Sequence, residues 1–294
     1  MRLASLESTQ GQPIVALVDL DNENYWPVAD LLPGFTGDMI DLIRQLTEQG
    51  AQLGAPSGPG LPLSQTRPLA PISKPRRNIF CVGKNYRDHV AEFARSGYDS
   101  SAKANETVPD APIFFTKATT TVIGPGEPIP LHSDVTQQVD YEAELAVVIG
   151  RSGRHIARED APAHIFGYTI INDVSARDLQ KQHRQWFLGK SLDGFCPMGP
   201  YLVTADEVDA TNLTLRCWVN GQLRQQACSN QMIFDIPTLI AKLSAGITLL
   251  PGDVISTGTP AGVGLAMDPP RFLKSGDRVR IEIDTLGVLE NPVV

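Results

Sequence analysis

The sequence predicts an α+β protein that is mostly β, and three observations predict it. Glycine (25) and proline (23) are together too frequent for a helical bundle, because each interrupts helices. After residue 78, short apolar or alternating segments bounded by Gly, Pro, Asn or Asp follow one another closely. The run Val219-Asn220-Gly221-Gln222-Leu223 sets an Asn-Gly pair between strand-like residues, a strong hairpin signal. With 294 residues, 42% hydrophobic and 20% charged, the chain can bury a sizeable core without disulfide staples.

Taken in order, the chain opens with alternating apolar positions (Ile14, Ala16, Val18) and then an amphipathic stretch from Met39 to Leu46 at helical spacing. Together these predict a small α/β N-terminal domain over residues 1–70. From Gly54 to Lys74 the composition turns to Pro, Gly and Ser, which marks a linker or an irregular crossing strand. Residues 71–294 form the main domain. Its expected strands are Ile79 to Val82, Ile113 to Phe115, Glu142 to Ile149, Ile165 to Ile171, Tyr201 to Val203, Leu213 to Val219, Asp253 to Thr257 and Arg278 to Ile283. Helices are few: one after Tyr86, one opened by a Ser175-x-x-Asp178 capping box, and one from Pro237 to Leu243. There is no internal repeat.

The formal net charge of -8 argues against a nucleic-acid backbone or an anionic membrane as partner, since both need a basic face. Cys81, Cys196, Cys217 and Cys228 have no CxxC spacing, so neither a zinc site nor a disulfide framework is expected, and a reducing cytoplasm fits. The one short apolar stretch near the N-terminus, Pro13 to Leu20, is interrupted by Asp19 and is no secretory signal. No segment reaches the ~20 apolar residues of a membrane span.

The chemistry concentrates at strand-to-helix corners. In Asp140-Tyr141-Glu142-Ala143-Glu144, followed by Leu145-Ala146-Val147-Val148-Ile149, the two glutamates are two apart and point to one face of a strand. Buried side by side they would repel unless a cation neutralised them, and hard oxygen ligands suit Mg²⁺, Mn²⁺ or Ca²⁺. A solvated strand edge would carry the same alternation. The apolar strand from Gly167 ends in Asn172-Asp173, where a rigid element can aim one more carboxylate, or where Asp173 simply satisfies turn amides. In Gly83-Lys84-Asn85-Tyr86-Arg87-Asp88-His89-Val90-Ala91-Glu92, a helix would put His89 and Glu92 on one face as a general-base dyad, or as an ordinary surface pair. Lys117, Arg177, Lys190 and Gln180 supply cations and an amide in an acidic protein, and Gly258-Thr259-Pro260 could present Thr259 to a ligand.

These segments closely resemble the fumarylacetoacetate hydrolase family. The match runs from about Asn78 to Val263, through GKNYRDHVAE, KATTTVIGPG, DYEAELAVVIG, GYTIINDVSARD, QWFLGKSLDGFCPMGP, PGDVI and TGTPAGVG in register. The resemblance implies a β-roll-like catalytic domain, usually a homodimer, with Mg²⁺ or Mn²⁺ on Glu142, Glu144 and Asp173. It further implies catalysis by His89 and Glu92 on a lid segment, with Lys190 beside them, and substrate contacts from Lys117, Arg177, Gln180 and Thr259. Where fumarylacetoacetate hydrolases proper carry a further aspartate ligand, this chain has Ile79-Phe80-Cys81-Val82, so it looks more like the smaller branch of acylpyruvate hydrolases, oxaloacetate decarboxylases and homoprotocatechuate-pathway isomerases. The expected reaction is hydrolysis of a carbon–carbon bond in a small 2-oxo acid through an enolate. An isomerase or decarboxylase acting on a related diacid is the alternative, and a metal-binding protein without catalysis is a third reading.

Overall fold

The computed structural model describes residues 1–96 and 108–294. A twelve-stranded main sheet runs, along its principal path, from Leu61–Pro62 through Asn24–Pro27, Pro13–Asp19 and Arg2–Ser8 to Cys196–Thr204, Ile165–Asn172, Ala143–Ile149, Val254–Ser256, Ile79–Gly83 and Ile113–Lys117. The α+β, mostly β architecture is as the glycine, proline and strand pattern predicts. The N-terminal strands join this sheet directly, because Arg2 and Leu3 pair with Val203 and Leu202. The Pro- and Gly-rich stretch crosses back with them, its strand Thr66–Leu69 pairing antiparallel to Arg2–Ser8.

A second sheet orders Gln222–Cys228, Thr214–Val219, Arg278–Ile283 and Gly287–Pro292. Its hairpin turns at Asn220 (φ 52°) and Gly221 (φ 75°), the two positive φ angles that an Asn-Gly turn tolerates.

The strand Ala143–Ile149 is buried throughout, and its period of two sends alternate residues to different cores. Leu145, Val147 and Ile149 meet Leu215 and Ile281 of the second sheet and Leu239 of a helix. Ala146 and Val148 face Met39, Ile40, Leu42 and Ile43 of the N-terminal helix. That helix spans Met39–Thr47 and starts cleanly, since Asp38 accepts from the amides of Ile40 and Asp41 while Asp41 accepts from the Asp38 amide. The helix Ile236–Ser244 is likewise capped by Asp235, which accepts from Thr238 N at 3.0 Å.

Two local expectations change. The Cys196–Thr204 strand is far longer than the predicted Tyr201–Val203 segment. The Ser175-x-x-Asp178 capping box does not form: the helix Arg177–His183 begins after Ala176 with no side-chain cap. Ser175 is drawn into a short strand opposite Asp140 and donates to Asp173 O at 2.9 Å, while Asp178 accepts from Gln137 N at 3.0 Å. The Ser175 hydroxyl is taken by a nearby carbonyl and the Asp178 carboxylate by a distant amide, so neither is left for the cap. Among the described residues no helix is long and apolar enough to cross a membrane.

Candidate metal centre and active site

Antiparallel pairing of Ala143–Ile149 with Ile165–Asn172 sets Ala143 opposite Asn172. Glu142, one residue before the first strand, therefore meets Asp173, one residue past the end of the second. The Asp173 amide donates to Glu142 O at 2.8 Å, and the Glu142 amide donates to the Asn172 side chain at 3.0 Å. Glu144 lies on the same strand face as Glu142. One carboxylate oxygen from each of Glu142, Glu144 and Asp173 lies within 4.8 Å of the others, and all three residues are buried. A solvated strand edge is thereby excluded.

Buried carboxylates this close need compensation. Lys190 donates to Glu142 at 2.7 Å and to Asp173 at 2.8 Å. Lys117, with no exposed surface, donates to Asp173 at 2.7 Å and to Val174 O at 3.0 Å. Arg177 reaches Glu142 at 2.6 Å, Asp140 at 2.9 Å and the Gln180 side chain at 3.1 Å. Burial alone would raise Glu142, but Lys190 and Arg177 outweigh it and hold its carboxyl well below the usual range. Glu144 goes the other way, pushed well up by burial and by the neighbouring Asp173 and Glu142 charges. Its contacts are the Ser256 hydroxyl at 2.6 Å and the Gly258 amide at 2.8 Å, neither of them charged.

Four buried carboxylates, Asp140 included, thus face three cations. The surplus negative charge and the all-oxygen donor set fit a hard divalent cation, which would relieve the repulsion that raises Glu144.

Above these groups lies a narrow cleft of about 310 Å³, its mouth included, lined by Glu142, Glu144 and Lys190 together with His89, Phe115 and Trp186. Arg177, Gln180 and Thr259 also face it, whereas Lys117 and Asp173 stand behind its wall. Thr259 is fixed by donating to Ala143 O at 3.0 Å and accepting from Gln225 at 2.7 Å.

His89 and Glu92 do fall on one helix, Arg87–Ser96. The imidazole is 5% exposed, and burial pushes it down to about 4, so it is neutral at physiological pH. Among the described residues its Nδ1 has no hydrogen-bond partner. Glu92 does not hydrogen-bond it. The Glu92 carboxylate instead accepts from the Gly262 amide at 2.8 and 3.1 Å, and burial pushes it up to about 7. In this arrangement Glu92 ties the helix to the glycine loop.

Asp140 went unassigned among the sequence-derived candidates. It is fully buried and accepts from Arg177, from Gly264 N at 2.8 Å and from Leu265 N at 3.0 Å, so it joins the guanidinium to the loop on which Glu92 docks. Its signal was an acid abutting an apolar strand one turn of the pleat from Glu142. Ser256, a lone hydroxyl inside the apolar Val254–Ser256 strand, was legible in the same way.

A family model described as fumarylacetoacetate (FAA) hydrolase C-terminal matches residues 78–294. The chain is 51% identical over 232 residues to the oxaloacetate tautomerase YisK of Bacillus subtilis, a match covering 79% of this chain and 74% of that protein. Among solved structures it resembles a fumarylacetoacetate hydrolase from Exiguobacterium antarcticum, with 40% identity and a TM-score of 0.83 over 100% of this chain and 99% of the other. It also resembles a maleylpyruvate hydrolase from Sphingobium solved with manganese(II) and pyruvate, with 31% identity and a TM-score of 0.74 over 100% and 99% of the two chains.

Proposed function

We propose, for a chain that belongs to the fumarylacetoacetate hydrolase family, that it interconverts the keto and enol forms of a small 2-oxo dicarboxylic acid of the oxaloacetate type, with Mg²⁺ or Mn²⁺ as cofactor. Among the expected reactions this is the isomerase alternative, placed ahead of carbon–carbon hydrolysis. The observation that carries it is the 51% identity over 232 residues to an oxaloacetate tautomerase. His89 also supports it, since among the described residues no carboxylate orients its Nδ1: a proton shuttle needs a neutral base at the cleft, whereas a water-activating base is ordinarily oriented by a carboxylate, and here Glu92 is bonded to Gly262.

A divalent cation on Glu142, Glu144 and Asp173 would supply the positive charge that draws electrons from the carboxylate and 2-oxo oxygens of the substrate. His89, neutral, removes a proton from the carbon next to the carbonyl, and a proton returns to the 2-oxo oxygen. No water is consumed. The Lys190 ammonium stabilises negative charge as it develops, Gln180 and Thr259 orient the polar edge of the substrate, and Phe115 and Trp186 exclude solvent. The test is the rate of enol decay of oxaloacetate above the buffer rate, with Mg²⁺, with Mn²⁺ and with chelator. Acceleration abolished by chelator is expected. No acceleration, together with cleavage of an acylpyruvate, would return hydrolysis to first place.

A further inference from the structure

We propose that Gln225, on the second sheet, is a positioning residue that holds the Thr259 hydroxyl in a fixed place relative to the metal-ligating strand; this rests on the reading of Thr259 as a substrate contact in the same cleft. The strand Gln222–Cys228 is an edge of its sheet, and along it only residue 225 is fully buried, although it carries a polar carboxamide. Burying an amide is favourable only where its hydrogen bonds are all met, so its partners are the reason for its place.

A β-bulge turns this side chain inward. Cys217 pairs with Gln225 but Trp218 pairs with Leu223, which leaves Arg224 as the extra residue, and bulges re-aim the side chains beside them. The glycine loop packs against the same point, since a Cβ added at Gly262 would stand 1.9 Å from Arg224 O and 3.3 Å from the Gln225 Cα.

Once inside, the carboxamide is saturated. Its oxygen accepts from the Ala143 amide at 3.0 Å, and its nitrogen donates to the Thr259 hydroxyl at 2.7 Å and to Pro260 O at 2.8 Å. The Ala143 amide can only donate and the Pro260 carbonyl can only accept, which fixes the orientation of the group. Ala143, between Glu142 and Glu144, lies past the point at which Val254–Ser256 stops pairing with its strand, so the side chains of Gln225 and Thr259 satisfy its buried N–H and C=O in place of a ladder.

The metal ligands are anchored without Gln225. Glu142 is held through its backbone by Asp173 and Asn172, and Glu144 by Ser256 and Gly258. Thr259 is the group that depends on the carboxamide: among the described residues its hydroxyl meets Ala143 O and Gln225. Removing the amide would leave the Ala143 N–H and Pro260 O unpaired in the interior and let the hydroxyl shift, which costs substrate binding more than cation binding.

The test uses the full-length, Mn²⁺-loaded protein and its Gln225→Met, Thr259→Val and doubly substituted variants. Affinities for Mn²⁺ and for pyruvate are measured by calorimetry, and oxaloacetate turnover by enol decay. Gln225→Met should weaken pyruvate binding and lower kcat/KM about tenfold, mainly through KM, while leaving Mn²⁺ affinity nearly unchanged. In the double variant the loss should fall well short of the product of the two single losses, because Gln225 acts through Thr259. Losses that multiply, or an equal fall in Mn²⁺ affinity, would mean a general structural role and would overturn the proposal, as would a lowered Tm with unchanged pyruvate affinity. If Gln225→Met does not fold, Gln225→Glu, which has the same shape and keeps the acceptor for the Ala143 amide, takes its place with the same expectation for the double variant. If the unaltered protein does not accelerate enol decay, the keto–enol reading fails by itself and the pyruvate affinities still decide the role of Gln225; if it binds no pyruvate either, the proposal falls with it.

Discussion

Glu142 and Glu144 share one strand face and burial raises both, yet their net shifts are opposite, because Lys190 and Arg177 bond Glu142 and outweigh its burial while the Asp173 and Glu142 charges add to that of Glu144. Glu142→Ala should therefore abolish metal-dependent turnover and weaken Mn²⁺ binding in calorimetry, while circular dichroism shows the fold retained. His89→Ala should lower turnover by ~10²-fold or more while changing Mn²⁺ affinity much less, since the imidazole is proposed to act on the substrate and not on the cation. An equal loss of metal affinity in both variants would refute that division. Glu92 offers a test through stability. Its folded value of about 7 lies above the ordinary 4.5, so the native state holds the proton more tightly than the unfolded chain does. The penalty of ionising it in place is absent below about pH 4.5, grows through the window up to about pH 7 and is then constant. Relative to Glu92→Gln, the unaltered protein should lose on the order of 2 kcal/mol of unfolding free energy across that window in urea titrations, and a flat difference would contradict the burial argument.

The elements that position these residues were legible to different degrees. The N-terminal helix was readable because Asp38 caps it and its apolar face repeats at helical spacing, and the cap and the packing agree. Leu42, fully buried on that face, should cost about 3 kcal/mol when replaced by alanine, measured by chemical denaturation. The Arg177–His183 helix was misread at its start, since Ser175 and Asp178 each find a partner far away in sequence that no local pattern contains. The helix expected after Tyr86 forms as Arg87–Ser96, but its docking is not written in the local pattern: the three-residue spacing suggests Glu92 as the orienting partner of His89, and only the folded chain brings the Gly262 amide into competition. Gly262 itself sits at φ 107°, and an added Cβ would stand 1.9 Å from Arg224 O, so the loop that receives Glu92 requires glycine there.

At the scale of the whole molecule, the N-terminal strands and helix are built into the main sheet and its core, with Arg2–Ser8 covering one edge of Cys196–Thr204 and Met39–Thr47 covering Ala146 and Val148. Deleting residues 1–70 should therefore expose a strand edge and an apolar face, giving aggregation or a sharply lowered Tm; a soluble fragment with unchanged Tm would show that the packing contributes little. Sequence by itself determined the mostly β class, the Asn220-Gly221 hairpin and the pairing of Glu142 with Glu144 on one face, because each follows from backbone periods of two or from φ preferences of single residues. It also supplied Asp173 as a candidate, as a polar residue ending an apolar strand. Only the tertiary structure decided that these three carboxylates converge, that Lys117, Arg177 and Lys190 compensate them, that Asp140 ties the guanidinium to the loop, and that Glu92 bonds Gly262 and not His89. Those are contacts between segments 17 to 170 residues apart, set by antiparallel register and by the exclusion of water, and neither quantity is written in any local stretch of chain.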